Sequence, residues 1–305
     1  MTDANVTAGR VTDAKVTDTA RIVVGYDGGQ TGEDALAFGQ RWCRASGDRL
    51  TVVTVHPGPH AIGPARVDAE WVAYEREEAD KLLEEARALI DPDLDAVYER
   101  VDAGSAAHGL HDLCESAGTL VVLGSRRASG LRRTFPGSTA QRLMQGSVPP
   151  VAIVPWGYAD TAEGSLSSVA AAYVDTPDGR VALEHAVQMA GHLSARLRIV
   201  SVVPDTRVAP AMGEPRLFGM EQRQDYRTAL DAAVASVGSQ VEVSGDLRDG
   251  PVVEALTELG PADADLLVCG SRGYGPVRRV LLGGVSSRVI RHARIPVVVV
   301  PRGES

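Results

Sequence analysis

From Arg21 onward the chain alternates between two hydrophobic periods. Arg21 to Tyr26 is a short β-branched run, and Asp34 to Ser46 then carries apolar residues at helical spacing up to Gly47. Leu50 to Val55 is a second continuous apolar run, bounded by Pro57 and Gly58. Glu70 to Ile90 sets Trp71, Ala79, Leu82, Leu83, Ala86, Leu89 and Ile90 along one face, which predicts a long amphipathic helix stopped by Pro92. Ala96 to Val101 alternates like an edge strand and Ala106 to Ala117 is helical in pattern. Thr119 to Leu123 predicts a buried strand, Thr139 to Gln145 a helix and Val151 to Val154 a last strand.

The same order then returns. Runs at Val169 to Val174, Leu197 to Val202, Val241 to Ser244, Leu266 to Cys269 and Val297 to Val300 alternate with helical patterns. Those patterns lie at Arg180 to Leu193, Glu221 to Val237, Val252 to Leu259 and Ser286 to Arg291. Landmarks recur at nearly one spacing: Arg49-Leu50 and Arg196-Leu197 stand 147 residues apart, and Leu123-Gly-Ser-Arg126 and Cys269-Gly-Ser-Arg272 stand 146 apart. Val151-Ala-Ile-Val-Pro155 and Val297-Val-Val-Val-Pro301 repeat the 146-residue spacing. The chain is therefore a duplication. Strands apolar throughout, alternating with helices, predict parallel sheets covered on both faces. The expected architecture is α/β, with two tandem doubly wound domains of five strands each. The expected limits are a disordered tail at 1–19, domain one at 20–156, a Gly/Ser/Thr linker at 157–165 and domain two at 166–303. The last strands of the two copies are expected to pair and cover each other's edges.

Composition sharpens this reading. Apolar residues are 44% of the 305 but aromatics only 4%, so the cores must be aliphatic. A net charge of −9 disfavours a nonspecific nucleic-acid or anionic-membrane binder. Lys15 and Lys81 are the only lysines, so 29 of the 31 basic residues are arginine. No Gly-Lys-Ser/Thr exists, which excludes a Walker A loop, and any phosphate site must use main-chain amides, hydroxyls and arginines. The three cysteines are odd in number and far apart, which suits a reducing, cytoplasmic setting. The first twenty residues are polar and lack the apolar stretch of a signal peptide, and no later apolar run reaches about 18 residues.

Candidate chemistry sits at the strand tips, where doubly wound sheets bind ligands. After the first strand, Gly25-Tyr26-Asp27-Gly28-Gly29 offers a sharp turn and a carboxylate; a plain βα turn is the rival reading. After the fourth, copy two runs Gly270-Ser-Arg-Gly273, nine residues, then Gly283-Gly284-Val285-Ser286 into a helix. Exposed N–H groups, hydroxyls, Arg272, Arg278, Arg279 and a helix start form a phosphate-binding arrangement; solvent-facing turns are the alternative.

These residues resemble the universal stress protein family, and the chain is similar to its tandem, actinobacterial two-domain kind from about residue 20 to residue 302. ATP-binding members carry an aspartate after the first strand and the motif G-x2-G-x9-G-[ST]. Copy one matches at Asp27, Gly124, Gly137 and Ser138, with Arg127 in place of the second glycine. Copy two matches at Gly270, Gly273 and Gly283, with Gly284 in place of the hydroxyl residue, Ser286 two positions on, and Asp175 as the aspartate. The resemblance implies strand order 3-2-1-4-5. It also implies ATP, with Mg²⁺ as a candidate companion, in one or both clefts: adenine near Asp27 or Asp175 and against Val55 or Val202, and phosphates along the glycine loop. In copy one that path includes Arg126, Arg127 and Thr139, and in copy two Arg272. Arg127 is expected either to crowd the phosphates or to bind them. The implied role is a cytoplasmic stress-response signalling module, with an unidentified protein partner and a homodimer of the whole chain as further expectations.

No general base stands beside the phosphate loop and no acidic pair for Mg²⁺ recurs there. A binding module therefore leads over a slow ATPase or nucleotidyl transferase, and over a nucleotide-free scaffold. His108, His111 and Cys114 are spaced i, i+3, i+6 and read first as one helix face rather than a metal site.

Overall fold

The short aliphatic runs become strands covered on both sides. The computed structural model describes residues 21–57, 69–114, 119–127, 134–146, 149–204, 215–239, 241–271 and 284–301; the expected tail at 1–19 lies outside them. Domain one runs β1 (Arg21–Gly25), α1 (Gly29–Ser46), β2 (Arg49–Pro57), α2 (Ala69–Leu89), β3 (Ala96–Ala103) and α3 (Ala106–Leu113). It continues with β4 (Thr119–Arg127), β5 (Thr134–Pro136), α4 (Ser138–Gly146) and β6 (Val151–Val154). After α5 (Tyr158–Thr161), domain two repeats the order as β7 (Ser168–Ala172), α6 (Pro177–His192), β8 (Arg196–Val203) and α7 (Pro215–Val237). It ends with β9 (Val243–Asp249), α8 (Val252–Thr257), β10 (Leu266–Gly270), α9 (Gly284–His292) and β11 (Val297–Val300).

In domain one the parallel order is β3-β2-β1-β4-β6, and in domain two it is β9-β8-β7-β10-β11, both the expected 3-2-1-4-5. Successive strand residues alternate between faces. Ile22 and Val24 of β1 join a core with Phe38 of α1, Leu83 of α2 and Leu230 of α7, whereas Val23 joins the opposite core with Leu110 of α3 and Leu143 of α4. Both faces are therefore covered by helices. Within domain one, α1 stops where the sequence says, with Gly47 at φ 77° in the left-handed region that ends a helix.

The two domains meet through β6 and β11, which pair antiparallel with Ala152 opposite Val298. All four residues of each strand are buried, so one continuous sheet replaces two edges. Two short elements escaped the periodicity reading. Strand β5 pairs antiparallel with the end of β4, Arg127 opposite Thr134, and α5 lies within the expected linker.

That linker is held rather than loose. Arg41 of α1, almost buried, donates from Nε to the Gly164 carbonyl at 3.0 Å and from Nη2 to the Glu163 carbonyl at 2.7 Å. It also donates to the Tyr158 hydroxyl and, across the domain boundary, to Asp265 Oδ1 at 3.1 Å. The other Asp265 oxygen accepts the amides of Ser167 and Ser168 at 2.8 and 2.9 Å. Beside this knot the buried carboxylate of Asp34 accepts the amides of Gly157 and Ala159, each at 2.8 Å. Burial nevertheless raises its pKa above the usual carboxylate range, against the pull of those bonds.

Candidate functional site

Strand order reverses between β1 and β4, so their carboxyl ends flank a crevice. In domain one Tyr26 is buried, its amide donates to the Val53 carbonyl at 2.9 Å, and its own carbonyl accepts from Thr54 Oγ1 at 3.1 Å. Gly32 lies directly on the Tyr26 ring, where a Cβ would come within 2.6 Å. Gly28, at φ 79°, then turns the chain into α1. This anchoring leaves Asp27 exposed at the mouth of the crevice.

From the other side, the end of β4 supplies Arg126, whose Nη2 lies 3.4 Å from Asp27 Oδ2. A Cβ on Gly137 would have Arg126 Nε, at 4.0 Å, as its nearest neighbour, so the guanidinium spans the mouth from Asp27 toward the start of α4. The Gly137 carbonyl accepts the first bond of that helix, from the Gln141 amide at 3.0 Å. The first-turn amides of α4, at Ser138 and Thr139, have no partner within the helix and face positions where an anion is stabilised. The resulting cleft, about 600 Å³, brings together Asp27, Val55, Gly124, Arg126, Gly137, Ser138 and Thr139. Thr31, Val53 and Leu110 complete its walls.

Two sequence expectations for this domain change. A Cβ on Gly124 would stand 1.9 Å from the Thr31 carbonyl oxygen, so Gly124, which lines the cleft, is also required for the first turn of α1 to lie on the sheet. Arg127 does not line the cleft; it lines a separate hollow with Trp156 and Arg294. Neighbouring strand residues point to opposite sides, and β4 extends far enough to impose that alternation on Arg126 and Arg127.

Domain two has a smaller cleft of about 490 Å³, where Val202, Gly270 and Ser286 meet Val174, Asp178, Val252, Cys269 and Val285. Tyr173 donates its amide to Val200 at 2.9 Å, the same bond that Tyr26 makes, so Val174 stands in register with Asp27. Asp175, one residue on, is not among the cleft-lining residues; it pairs with Arg180 and accepts from the Tyr173 hydroxyl at 3.3 Å. The Ser286 hydroxyl donates to the Gly270 carbonyl at 2.8 Å, which commits its proton to the main chain. Burial pushes the neighbouring Cys269 thiol up to about 12, a bond with Ser286 pulling it the other way. Gly284 opens α9, while Arg272, Gly273 and Gly283 lie outside the described residues, as do Arg278 and Arg279.

The family model described as "Universal stress protein family" matches this chain twice, at residues 19–155 and 168–301. The chain belongs to the universal stress protein family. Universal stress protein Rv2319c of Mycobacterium tuberculosis is 30% identical over 297 residues, covering 92% of this chain and 99% of that relative. A universal stress protein of Mycolicibacterium smegmatis is 28% identical over 300 residues, covering 92% and 96%. The crystal structure of a universal stress protein from Archaeoglobus fulgidus superposes with a TM-score of 0.70 at 22% identity, over 94% of this chain and 100% of that one, a likeness of fold.

Within this tandem universal stress protein, copy comparison explains which cleft residues the sequence left unnoticed. Thr31 and Leu110 of the first cleft correspond to Asp178 and Leu256 of the second, but each lies on a helix whose ligand-facing side only the packed fold defines. Among the described residues no group of three His, Cys, Asp or Glu side chains is placed to hold a metal, and no helix is long and apolar enough to cross a membrane.

Proposed function

We propose that this tandem universal stress protein binds an adenine nucleotide, ATP, in the cleft of domain one and acts as a regulatory binding module whose state is set by that occupancy. The observation that carries the reading is the span of Arg126 from Asp27 to the start of α4, over an aliphatic floor of Val53, Val55 and Leu110. Each part of the ligand has a matching surface there. The flat base lies against the aliphatic floor with its exocyclic amine toward the Asp27 carboxylate. The phosphates meet the open first-turn amides at Ser138 and Thr139 and the Arg126 guanidinium. Any Mg²⁺ would arrive with the nucleotide and neutralise its phosphates.

The first domain is preferred because in the second cleft Val174 stands in the place of Asp27, and the carboxylate of Asp178 stands in the place of Thr31. Binding is preferred to catalysis because Asp27 is the one carboxylate among the described residues lining the first cleft, and Arg126 already faces it.

Calorimetric titration with ATP tests this. One nucleotide per chain is expected, and Asp27→Ala or Arg126→Ala should weaken binding by about ten- to a hundredfold, the size of a charge-assisted hydrogen bond. Asp175→Ala and Arg127→Gly should leave affinity unchanged. Absence of binding at millimolar ATP, or a loss caused by Asp175→Ala, would overturn the assignment.

A further inference from the structure

The phosphate end of the first cleft is not built by domain one alone. Helix α9 of domain two packs against β5 of domain one, and β5 leads directly into the cleft. It pairs antiparallel with the end of β4, which sets Ser125 opposite Pro136 and Arg126 opposite Phe135. The residues that follow it, Gly137, Ser138 and Thr139, line the cleft. The two elements that face the phosphates, the Arg126 guanidinium and the start of α4, are therefore both tied to one three-residue strand.

Such a strand holds weakly by itself. Three residues form few ladder bonds, and Pro136 has no N–H to contribute. From α4 the Gln141 side chain donates to the Pro136 carbonyl, but at 3.4 Å, a long bond. Closer support comes from across the domain boundary. Arg291, in the last turn of α9, sets its guanidinium carbon 5.3 Å from the centre of the Phe135 ring, within the roughly 6 Å over which a cation is drawn to an aromatic face. Both side chains are half-buried, which shields the contact from water. Helix α9 is in turn fixed to domain two: Val289 and Ile290 are buried, and the Ser286 hydroxyl holds the Gly270 carbonyl at 2.8 Å.

We infer that Arg291 of domain two, acting through Phe135, is a positioning residue for the phosphate half of the nucleotide cleft in domain one, an inference that rests on nucleotide binding there as proposed above. Arg291 is not among the described residues that line the cleft; it limits where β5 can move, and with it the main chain of Arg126 and the start of α4. The base half has no such dependence. Asp27 follows β1, and Val53 and Val55 belong to β2, a nine-residue strand paired on both sides within domain one.

Calorimetric titration of the full chain with ATP and with adenosine separates the two halves, since adenosine carries no phosphate. Arg291→Ala and Phe135→Ala should each weaken ATP binding about tenfold and leave adenosine within about twofold of wild type. The double variant should bind ATP no more weakly than the weaker single variant, because both substitutions remove one contact. Arg291→Lys, which keeps the cation, should recover most of the loss, and His292→Ala, on the same turn, should bind ATP like wild type. Hydrogen exchange of the ligand-free chain reads the support without any nucleotide: residues 134–142 should exchange several-fold faster in Arg291→Ala, with β1 and β2 unchanged. A wild-type chain that binds no ATP overturns nucleotide binding and this inference together. Wild-type ATP binding with unchanged affinity in Arg291→Ala, an equal loss for ATP and adenosine, or unchanged exchange over 134–142 overturns this inference alone.

Discussion

Gly124→Ala separates a packing glycine from a ligand-facing one. The new methyl carbon would stand 1.9 Å from the Thr31 carbonyl oxygen and 2.9 Å from Thr31 Cγ2, whereas an ordinary contact needs about 3.5 Å. Because the nearest atoms are main chain, no rotamer change relieves the overlap, and α1 must lift from β4 by over an ångström. That movement loosens Ala35, Leu36 and Phe38, all fully buried beneath the helix. Overpacking of this kind costs about 3 kcal/mol, and at roughly 2–4 °C per kcal/mol for a domain of this size Tm should fall by about 6–12 °C. Gly137→Ala is the comparator: its nearest neighbour would be Arg126 Nε at 4.0 Å, so stability should change by about 1 kcal/mol or less. Differential scanning calorimetry of the two variants without nucleotide reads the contrast directly. A Gly124→Ala midpoint within a degree of wild type would refute the packing argument and return Gly124 to the ligand.

Two further perturbations probe the frame. Arg41→Leu leaves the Asp265 carboxylate without its cross-domain partner and should lower the unfolding free energy by about 3 kcal/mol in guanidinium titrations; a loss under 1 kcal/mol would show that the knot does not hold the domains. Burial pushes the thiols of Cys43 and Cys269 up to about 12 from 9.0, so neither should be alkylated in the folded protein at pH 8, while both should react once it is unfolded. The same shift sets a pH dependence. Below pH 9 the thiols are neutral in both states, and above it the unfolded chain ionises first, so stability should decline as pH rises from about 9 toward 12. A flat profile there would contradict the burial.

The inner strands were legible because each is a self-contained aliphatic run, and β6 and β11 fall on Val151–Val154 and Val297–Val300, the limits their composition sets; the polar edge strand β9 runs Val243–Asp249, past the expected Val241 to Ser244, because pairing with β8 rather than its own composition sets its limits. Three-residue β5 and four-residue α5 were not, since neither is long enough to display a period. Helix α1 begins at Gly29, before the apolar pattern does, because its first turn is polar and is fixed by contacts: Gly32 against Tyr26 and the Thr31 carbonyl on Gly124. In the first cleft, residue type and loop position pointed to Asp27, and the resemblance to the family motif pointed to Gly137 and Ser138; all three line it. The direction of Arg127 depends on how far β4 extends, and the displacement of Asp175 by Val174 depends on a main-chain hydrogen bond, so both needed the folded register.

A crystal structure of the full chain grown with excess ATP tests the central proposal most directly. The account predicts one adenine nucleotide in domain one, its base over Val55 beside Asp27 and its phosphates at the amides of Ser138 and Thr139. A vacant first cleft with nucleotide bound beside Val174 and Ser286 in domain two would contradict it.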